Sequence, residues 1–341
     1  MPDPPVDGFV WCHHCGSPHE LQSKFCPRTG KPMAARAARG PAEPERVHAG
    51  VVIGKKYYVV GLIGRGGQSI VYEAMHAELG QRVALKFLAK ESNKKAQARF
   101  EQEARLAATV VHPNVCRTYD LGTLESGTRY IVMERLQGES LASMLRREKI
   151  IDPGLAVDLV SHVLSALSAF HKTQVAHRDI KPANVFVELI AGMKPTGKVL
   201  DFGLAKDFSG RSAIRTTMGR RLGTPAYMSP EQLLGRTIDG RSDIFAVGVM
   251  LYEALCGTRP FAGSSDLELS AHIISTAARP LPELLPDIPE MLDVVVQRAL
   301  AKDPAERFAT ADEMRKTLAL VKRTAGLDQR PSRRTRLASR P

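Results

Sequence analysis

A run of glycines is the first part of the chain whose residue types could bind a phosphate group. It lies between two segments with the pattern of β-strands and comprises Gly64, Arg65, Gly66, Gly67, Gln68 and Ser69. Glycines let a hairpin backbone approach a ligand closely, so that its amide groups could bind phosphate oxygens. The same run is compatible with a plain tight turn. It precedes a strand and lacks a Gly-Lys-Ser/Thr ending, which argues against a Rossmann fingerprint and a Walker A loop.

A lysine and a glutamate further along the chain could place opposite charges beside this run. Alternation along the strand-like residues 83–86 puts Ala84 and Lys86 on one face, so the lysine would point into a cleft under the glycines. Burying an unpaired ammonium group is costly. Glu103 offers a partner, because on a predicted helix it falls on the same stripe as Phe100 and Ala107. Glu103 is equally compatible with a solvated position.

A second group of polar residues lies in the middle of the chain. Residues 177–184 read His-Arg-Asp-Ile-Lys-Pro-Ala-Asn, and Asp-Phe-Gly begins at Asp201, 22 residues after Asp179. Residues 223–231 then read Gly-Thr-Pro-Ala-Tyr-Met-Ser-Pro-Glu. With these motifs in this order, the sequence from about residue 57 to residue 320 resembles a eukaryotic-type serine/threonine protein kinase of the bacterial branch.

The resemblance implies that the chain transfers phosphate from ATP to serine and threonine hydroxyls of proteins. Such a transfer requires the γ-phosphate to be held in line with the hydroxyl while its charge is neutralised. Asp179 would orient the hydroxyl and accept its proton, and Lys181, typical of serine/threonine kinases, would contact the transferring phosphate. Asn184 and Asp201 would bind Mg²⁺ or Mn²⁺ through oxygen atoms, which hard cations prefer.

The same resemblance assigns nucleotide binding mainly to the N-terminal half of the matching region. Lys86, held by Glu103, would contact the α and β phosphates, and the adenine edge would meet the segment after the gatekeeper Met133. The implied nucleotide-binding residues are Ile63, Gly64, Arg65, Gly66, Gly67, Gln68, Ser69, Ile70, Val71, Ala84, Lys86, Met133, Glu134, Leu136, Asn184 and Asp201.

The segment after Asp201 indicates regulation by phosphorylation. Arg178, directly before Asp179, would need an anionic partner, and phosphate is a good bidentate partner for a guanidinium group. Thr216 and Thr217 are the predicted autophosphorylation sites. They lie in the middle of the segment, with several arginines close in sequence.

One departure from the family pattern is Ser69, which replaces the third glycine of the loop and would change how the loop closes over phosphate. The alternative to an active kinase is a nucleotide-binding pseudokinase or scaffold. Against it stands the presence of all five core residues, Lys86, Glu103, Asp179, Asn184 and Asp201. The resemblance also implies structural roles for Asp243, beside the loop of Asp179, and for an ion pair of Glu231 with Arg307.

The periodicity of the chain predicts the elements that position these residues. Five short runs rich in Val, Ile and Tyr, starting at Tyr57, predict an antiparallel sheet accompanied by one helix. After Gly138 the pattern changes to that of amphipathic helices. The predicted class is α+β, a bilobal kinase fold with an N-lobe at residues 57–136 and a mainly helical C-lobe at residues 137–320.

Residues 1–31 resemble a zinc ribbon that has lost one ligand. Cys12 and Cys15 form one knuckle, and Cys26 opens a second, in which Thr29 stands where a fourth thiolate belongs. Zn²⁺ prefers four thiolate or imidazole ligands, and a metal-free, degenerate knuckle is the alternative. Either form would dock a partner or substrate. The candidates for a fourth ligand are His13, His14 and His19.

Composition limits the class and location of the protein. The chain has 341 residues, with 48 Lys+Arg against 36 Asp+Glu and a formal charge of +12. Much of the excess lies in residues 321–341, predicted as a basic disordered tail. A nucleic-acid-binding regulator would rest on charge alone and is not the predicted role. Residues 32–56 are rich in Ala, Arg and Pro and are predicted as a linker.

Targeting signals are not evident in the sequence. No apolar stretch approaches the roughly 18 to 20 residues that a membrane-spanning helix needs. The first residues carry acids where a secretory signal would be basic and then apolar. Five cysteines are too few, and odd in number, for a disulfide framework. The expected location is the cytoplasm, without a membrane span.

Overall fold

The computed structural model describes residues 9–11, 18–20, 23, 25–31, 47–66, 69–88, 94–124, 126–200 and 225–328. The chain divides into two compact units. The first comprises Met1–Thr109 with Arg117–Arg135, and the second comprises Val110–Cys116 with Leu136–Pro341. The first unit is built around β-strands and the second mainly from helices, as the sequence predicted.

The strands of the first unit form two antiparallel sheets. A ribbon pairs β1 (Phe9–Trp11) with β2 (Pro18–Glu20). A larger sheet has six strands in the order β3-β4-β5-β6-β8-β7. These strands are β3 (Val52–Ile53), β4 (Tyr57–Arg65), β5 (Ser69–His76), β6 (Arg82–Leu88), β7 (Thr118–Thr123) and β8 (Arg129–Glu134).

The larger sheet has six strands where the sequence predicted five. The added strand, β3, lies in the segment that was predicted as a linker, and it pairs with the start of β4. Val47, Val51 and Ile53 are buried in the apolar core on one face of the sheet. The linker prediction was wrong for this part of the segment. The composition of the Ala-, Arg- and Pro-rich residues before it hid a short apolar run, and burial of that run stabilises the fold by removing its side chains from water. Residues 47–56 therefore belong to the lobe.

The two faces of this sheet carry different apolar cores. On one face, Tyr72 and Leu85 belong to the larger cluster. On the other, Phe100 of helix α1 (Lys94–Thr109) packs against Ile131 of β8. Successive side chains of a strand point to opposite faces, and the buried residues 83–87 of β6 alternate between the two faces of the sheet.

Helices form most of the regular secondary structure in the described part of the second unit. They are α2 (Leu141–Glu148), α3 (Pro153–His171), α4 (Pro230–Leu234), α5 (Gly240–Cys256), α6 (Asp266–Ser275), α7 (Glu290–Ala299) and α8 (Ala311–Thr324). A three-stranded antiparallel sheet has the order β11-β10-β9, comprising β9 (Gly138–Ser140), β10 (Val185–Glu188) and β11 (Thr196–Val199). The sequence did not predict α4 and α6, two short helices that begin at the side-chain caps Ser229 and Ser265.

Helix α3 corrects the expectation about apolar stretches. It begins at Pro153 because the side chain of Asp152 accepts hydrogen bonds from the backbone of Gly154 and Leu155. With 19 residues, it is long and apolar enough to cross a membrane by length and composition. Over half of its most apolar window, 56%, is buried, and the helix packs against α5, α8 and β11. That burial is typical of the core helix of a folded domain.

The helical unit continues past its predicted end at residue 320. Helix α8 runs to Thr324, and Leu327 beyond it is buried. The ammonium group of Lys322 lies 2.6 Å from a carboxylate oxygen of Asp158 on α3. The tail was predicted to begin at residue 321, but residues 321–328 belong to the helical unit. The ion pair of Lys322 and the burial of Leu327 hold them there. Residues 329–341 lie outside the described part of the chain.

Candidate active site

A buried aspartate in the first turn of α5 holds the backbone of residues 177 and 178. Asp243 is only 1% exposed. Its two carboxylate oxygens accept hydrogen bonds from the backbone N–H groups of His177 and Arg178, each at 2.8 Å. His171 Nε2 lies 2.8 Å from Asp243 Oδ2. A carboxylate this deeply buried requires such donors. The sequence did not single out His171, whose one signal is a polar ring at the end of a mainly apolar helix.

Asp179, Lys181 and Asn184 lie together in one hydrogen-bonded loop. Lys181 Nζ is 2.7 Å from Asp179 Oδ2. Asn184 Nδ2 donates to the backbone oxygen of Asp179 at 2.8 Å and to its Oδ2 at 3.0 Å. Among the described residues, Lys181 and Asn184 thus orient the carboxylate of Asp179, whose side chain keeps 15% exposure to solvent. The structure brings together three of the polar residues that the sequence selected.

The chain returns to this loop just before Asp201. The backbone N–H of Leu200 donates to the carbonyl of Asn184 at 2.8 Å, and His177 Nε2 lies 3.2 Å from the carbonyl of Leu200. Asp201 is the next residue in sequence, and it lies outside the described residues. Its metal-binding role therefore stays a prediction.

In the first unit, the position of Lys86 follows from strand register. Lys86 pairs directly with Val71 on one side and with Ile131 on the other, and side chains of directly paired residues share a face. Because Ile131 packs on α1, Lys86 lies on the face that α1 covers. It is 8% exposed, and its Nζ lies 6.0 Å from the centre of the Phe100 ring. The side chain of Glu103 lies outside the described part, so its pairing with Lys86 stays a prediction.

Three predicted nucleotide contacts share this face with Lys86, and one does not. Val71 pairs with Lys86, and Ala84, two residues before Lys86, pairs with Met133. Ile70 pairs with Phe87 and is buried in the apolar core of the opposite face. The two-residue alternation of β5 turns the Ile70 side chain away from Lys86, and the contact of Ile70 with a nucleotide stays a prediction.

The glycine run forms a turn between β4 and β5. The backbone N–H of Gly66 donates to the carbonyl of Ser69 at 2.8 Å, and Arg65 and Gly66 are exposed. Ile63 is 43% exposed, while Gly64 pairs with Val71 across an irregular register. Gly67 and Gln68 lie outside the described residues.

The segment after Met133 ends β8 and leads into the second unit. The backbone N–H of Glu134 donates to the carbonyl of Arg117 at 2.8 Å, so strand pairing satisfies that donor. Leu136 is 6% exposed. The structure describes these residues, and their contact with an adenine ring stays a prediction.

Arg178 has an unusual environment. Its backbone φ is +67°, and its carbonyl accepts a hydrogen bond from Gln232 of α4 at 3.0 Å. Its guanidinium Nε is buried and makes no hydrogen bond to any described residue. Thr216 and Thr217 lie outside the described residues, so their phosphorylation stays a prediction.

Glu231, next to Gln232, forms a buried ion pair with Arg307. Arg307 Nη1 and Nη2 lie 2.7 Å and 2.8 Å from the two carboxylate oxygens of Glu231. Ser242 donates to the same carboxylate at 2.6 Å. Burial alone would raise the pKa of Glu231, but the hydrogen bonds and the charge of Arg307 outweigh it and lower that pKa. The pair links α4 to the chain before α8, as the resemblance implied.

The small N-terminal ribbon places two of the predicted metal ligands in contact. Cys26 Sγ and His19 Nε2 are 3.4 Å apart. Cys12 and Cys15 lie outside the described residues, as do His13 and His14. Among the residues that the structure describes, no group of three His, Cys, Asp or Glu side chains is placed to hold a metal ion.

Known proteins resemble this chain over most of its length. A family model described as the protein kinase domain matches residues 57–318. The chain is 39% identical over 293 residues to the serine/threonine-protein kinase pkn3 of Myxococcus xanthus, covering 84% of this chain and 54% of that protein. It is 35% identical over 281 residues to the serine/threonine-protein kinase PknA of Mycobacterium tuberculosis, covering 80% of this chain and 63% of that protein.

A third relative extends the match further along this chain. The serine/threonine-protein kinase Pkn1 of Myxococcus xanthus is 35% identical over 327 residues, which cover 92% of this chain and 46% of that protein. The chain spans about half the length of the relatives it matches.

Proposed function

The chain belongs to the protein kinase family, and on that premise we propose that it transfers the γ-phosphoryl group of ATP to serine and threonine hydroxyls of proteins. The observation that carries the proposal is the loop of Asp179, where Lys181 and Asn184 orient one carboxylate. The relatives named above are serine/threonine-protein kinases, and Lys181 fits that substrate class.

Asp179 acts on the hydroxyl of the substrate. Its carboxylate orients the O–H group and takes its proton as the oxygen bonds to the γ-phosphorus and the bond between that phosphorus and ADP breaks. Lys181, already 2.7 Å from Asp179 Oδ2, supplies positive charge to the transferring group. The backbone N–H groups of His177 and Arg178 donate to the carboxylate of Asp243, and these bonds hold the loop in position before substrate binds.

Asn184 and Asp201 would hold the metal ion. Mg²⁺ or Mn²⁺ held by these residues would supply positive charge to the phosphate groups. The donor set fits such a cation, because Asn184 uses its Nδ2 in both bonds to Asp179 and so turns its amide oxygen to a different side. That oxygen and the carboxylate of Asp201 are the hard ligands that Mg²⁺ prefers.

The α1 face of the first unit would bind the nucleotide. Lys86 provides positive charge for the α and β phosphates, and Glu103 is proposed to hold it. Val71 and Ala84 provide apolar area for the adenine ring, with Met133 beside it as gatekeeper. Register supports this grouping, because these apolar residues share the face of Lys86.

Autophosphorylation at Thr216 and Thr217 is part of the proposal. Arg178 supports it, since its buried Nε has no hydrogen-bond acceptor among the described residues. A phosphate group would supply both the acceptor oxygens and the negative charge that a guanidinium group requires.

The N-terminal module is proposed to bind zinc and to dock a protein partner. Cys12, Cys15 and Cys26 are the proposed thiolate ligands. The contact of Cys26 with His19 supports the fit, because thiolate and imidazole are the donors that Zn²⁺ prefers. We further propose a cytoplasmic location, where thiols stay reduced.

Incubation with γ-labelled ATP and Mg²⁺, followed by phosphosite mapping, tests the proposed activity. We expect label on Ser/Thr in the wild type, including Thr216 or Thr217. Asp179→Asn should lower the rate at least about 100-fold, since it removes the proton acceptor, and Lys86→Met should lower it comparably. Asp266→Asn and Lys56→Met change exposed residues of the same types and should leave it unchanged.

Three results would contradict the proposal or one part of it. Wild-type protein that binds ATP but transfers no label would favour the nucleotide-binding scaffold. Label that persists in Asp179→Asn would exclude Asp179 as the proton acceptor. Phosphate found only outside residues 209–217 would contradict the sites Thr216 and Thr217 alone.

A further inference from the structure

We propose that His162 is a positioning residue for phosphate transfer, because its neutral imidazole ring holds strand β11, which leads into the loop that carries Asn184. The inference rests on the proposed kinase function and assigns to that function a residue outside the sequence motifs. His162 lies in the middle of helix α3 and is half-buried.

The first argument is the hydrogen bond that joins α3 to β11. The backbone N–H of Gly197 donates to His162 Nδ1 at 3.1 Å. Because a backbone N–H can only donate, Nδ1 must carry its lone pair, and the neutral ring then has its proton on Nε2. A protonated imidazole would present an N–H group here instead of an acceptor. The bond therefore exists only in the neutral form of His162.

The second argument is how the outer edge of β11 is covered, since β11 is an edge strand of its sheet. The carbonyl of Gly197 accepts from Asn114 Nδ2 at 3.0 Å. The N–H of Val199 donates to the carbonyl of Asn114 at 2.8 Å, and the carbonyl of Val199 accepts from the N–H of Cys116 at 2.9 Å. These partners are amide groups that do not titrate, so His162 makes the pH-dependent bond of this described edge.

The third argument is the close packing of the strand on the helix. Gly197 is buried, and a Cβ atom at its position would lie 3.1 Å from the carbonyl oxygen of Leu159 on α3. Buried backbone donors need a partner. When His162 becomes charged, the N–H of Gly197 loses its acceptor and carries the cost of desolvation. Movement of β11 away from α3 is then favoured.

Backbone contacts transmit the position of β11 to the loop of Asp179. Val199 pairs with Val185, which directly follows Asn184. The N–H of Leu200, the residue after β11, donates to the carbonyl of Asn184 at 2.8 Å. A shift of β11 therefore displaces the backbone that carries Asn184, one of the proposed metal ligands.

The surroundings of His162 favour its neutral form near pH 7. Burial has the largest effect and lowers the pKa of His162 below its ordinary 6.5, while the charge of Asp158 raises that pKa and the charge of Lys322 lowers it. Stability from the bond to Gly197 is thus present above pH 6.5 and lost as pH falls through the lowered pKa. Further charged or titratable groups on the adjoining elements are Asp328, Lys194, Lys198, Glu188 and His112.

Labelling rates measured against pH test this role in the full-length protein. His162→Asn places an amide oxygen where Nδ1 stands, so the variant can accept from Gly197 and does not titrate. The labelling rate of the wild type, divided by that of His162→Asn, should fall at least about threefold from about pH 7.5 to about pH 5. Titration of all other groups, His112 included, is common to both proteins and cancels in this ratio. His48→Asn, at an exposed histidine, should follow the wild type at every pH.

A second variant removes the acceptor at every pH. His162→Leu should lower the labelling rate at least about threefold already at about pH 7.5, because the N–H of Gly197 loses its partner. Amide hydrogen exchange of residues 196–199, measured by mass spectrometry, should become at least about fivefold faster in this variant. His162→Asn should keep the slow exchange of the wild type.

Two results would overturn the assignment: a ratio of wild type to His162→Asn that stays constant over this pH range, or a His162→Leu variant that labels at the rate of the wild type. If His162→Leu does not fold, the ratio for His162→Asn decides. A wild type that transfers no label at any pH would instead contradict the proposed kinase activity. Exchange at residues 196–199 would then still show whether His162 holds β11.

Discussion

Lys86 and Asp179 are held in place by different means. Lys86 lies on a regular strand, where ladder pairs with Val71 and Ile131 fix its face. Asp179 lies in an irregular loop whose backbone depends on Asp243, a residue 66 positions from His177. The position of Lys86 is determined by the strand pairing of the sheet, to which many residues contribute. The position of Asp179 is determined by a few buried polar contacts.

The difference predicts unequal tolerance to substitution. Trimming one apolar residue beside Lys86 leaves the ladder bonds intact, so the strand keeps its register. Removing one polar partner in the second unit leaves a buried group without its hydrogen bond, and that group then carries the full cost of desolvation. Substitutions in each region can break or sharpen this comparison.

The largest effect is expected at the buried ion pair beside the loop. Arg307→Met leaves the carboxylate of Glu231 buried without its cation, and breaking a buried pair in this way costs about 3–5 kcal/mol. The control is Arg315→Met, which removes an ion pair with Asp312 whose two side chains are 36% and 35% exposed and should cost less than about 1 kcal/mol. Urea denaturation at neutral pH measures the free energy of unfolding of both variants. Equal losses of stability in the two variants would contradict the role given to burial.

The pH dependence of this cost sharpens the test. Arg307 lowers the pKa of Glu231 below its ordinary 4.5, so the stability from this carboxylate is present above that pH and lost as pH falls through the lowered pKa. Without Arg307, burial raises the pKa of Glu231, and protonation then stabilises the folded state. The difference in stability between wild type and Arg307→Met should narrow from about pH 7 to about pH 4.

An intermediate effect is expected from Asp243→Asn. The amide has one acceptor oxygen for three donors, the backbone N–H groups of residues 177 and 178 and the His171 ring, so at least one donor loses its partner. The cost should be about 1–3 kcal/mol, with a matching fall in the labelling rate. Asp239→Asn on the same helix keeps its capping role and serves as the control. An unchanged labelling rate in Asp243→Asn would show that Asp243 does not position the loop.

The smallest effect is expected from Ile131→Val. It removes one methylene group beside Phe100 and should cost about 0.5–1.5 kcal/mol. Because the pairing of Lys86 with residue 131 is a backbone property, affinity for ATP should stay within about twofold of the wild type. Val294→Ala, at a position 51% exposed, should cost less. A large loss of ATP affinity would show that packing, and not register, places Lys86.

The sequence predicted regular elements better than their edges. Its alternating runs gave the five strands from Tyr57 onward, and the motif residues 177–184 gave the loop. It missed β3, because two strand residues are too few for a period to be evident. It gave no face to Ile70, whose side chain lies in the core opposite Lys86. It also ended the helical unit before Leu327, whose burial depends on contacts made by the folded chain.

The sequence by itself determined the family of this protein, its two-part α+β organisation and the side chains available for chemistry, since motif order and hydrophobic periodicity are local properties. Only the tertiary structure decided that His171 contacts Asp243 beside the loop of Asp179, and that His19 lies against Cys26. Such pairings join residues far apart in the chain or on separate turns. They depend on where folding brings buried donors and acceptors together, and no local sequence pattern specifies which donor meets which acceptor.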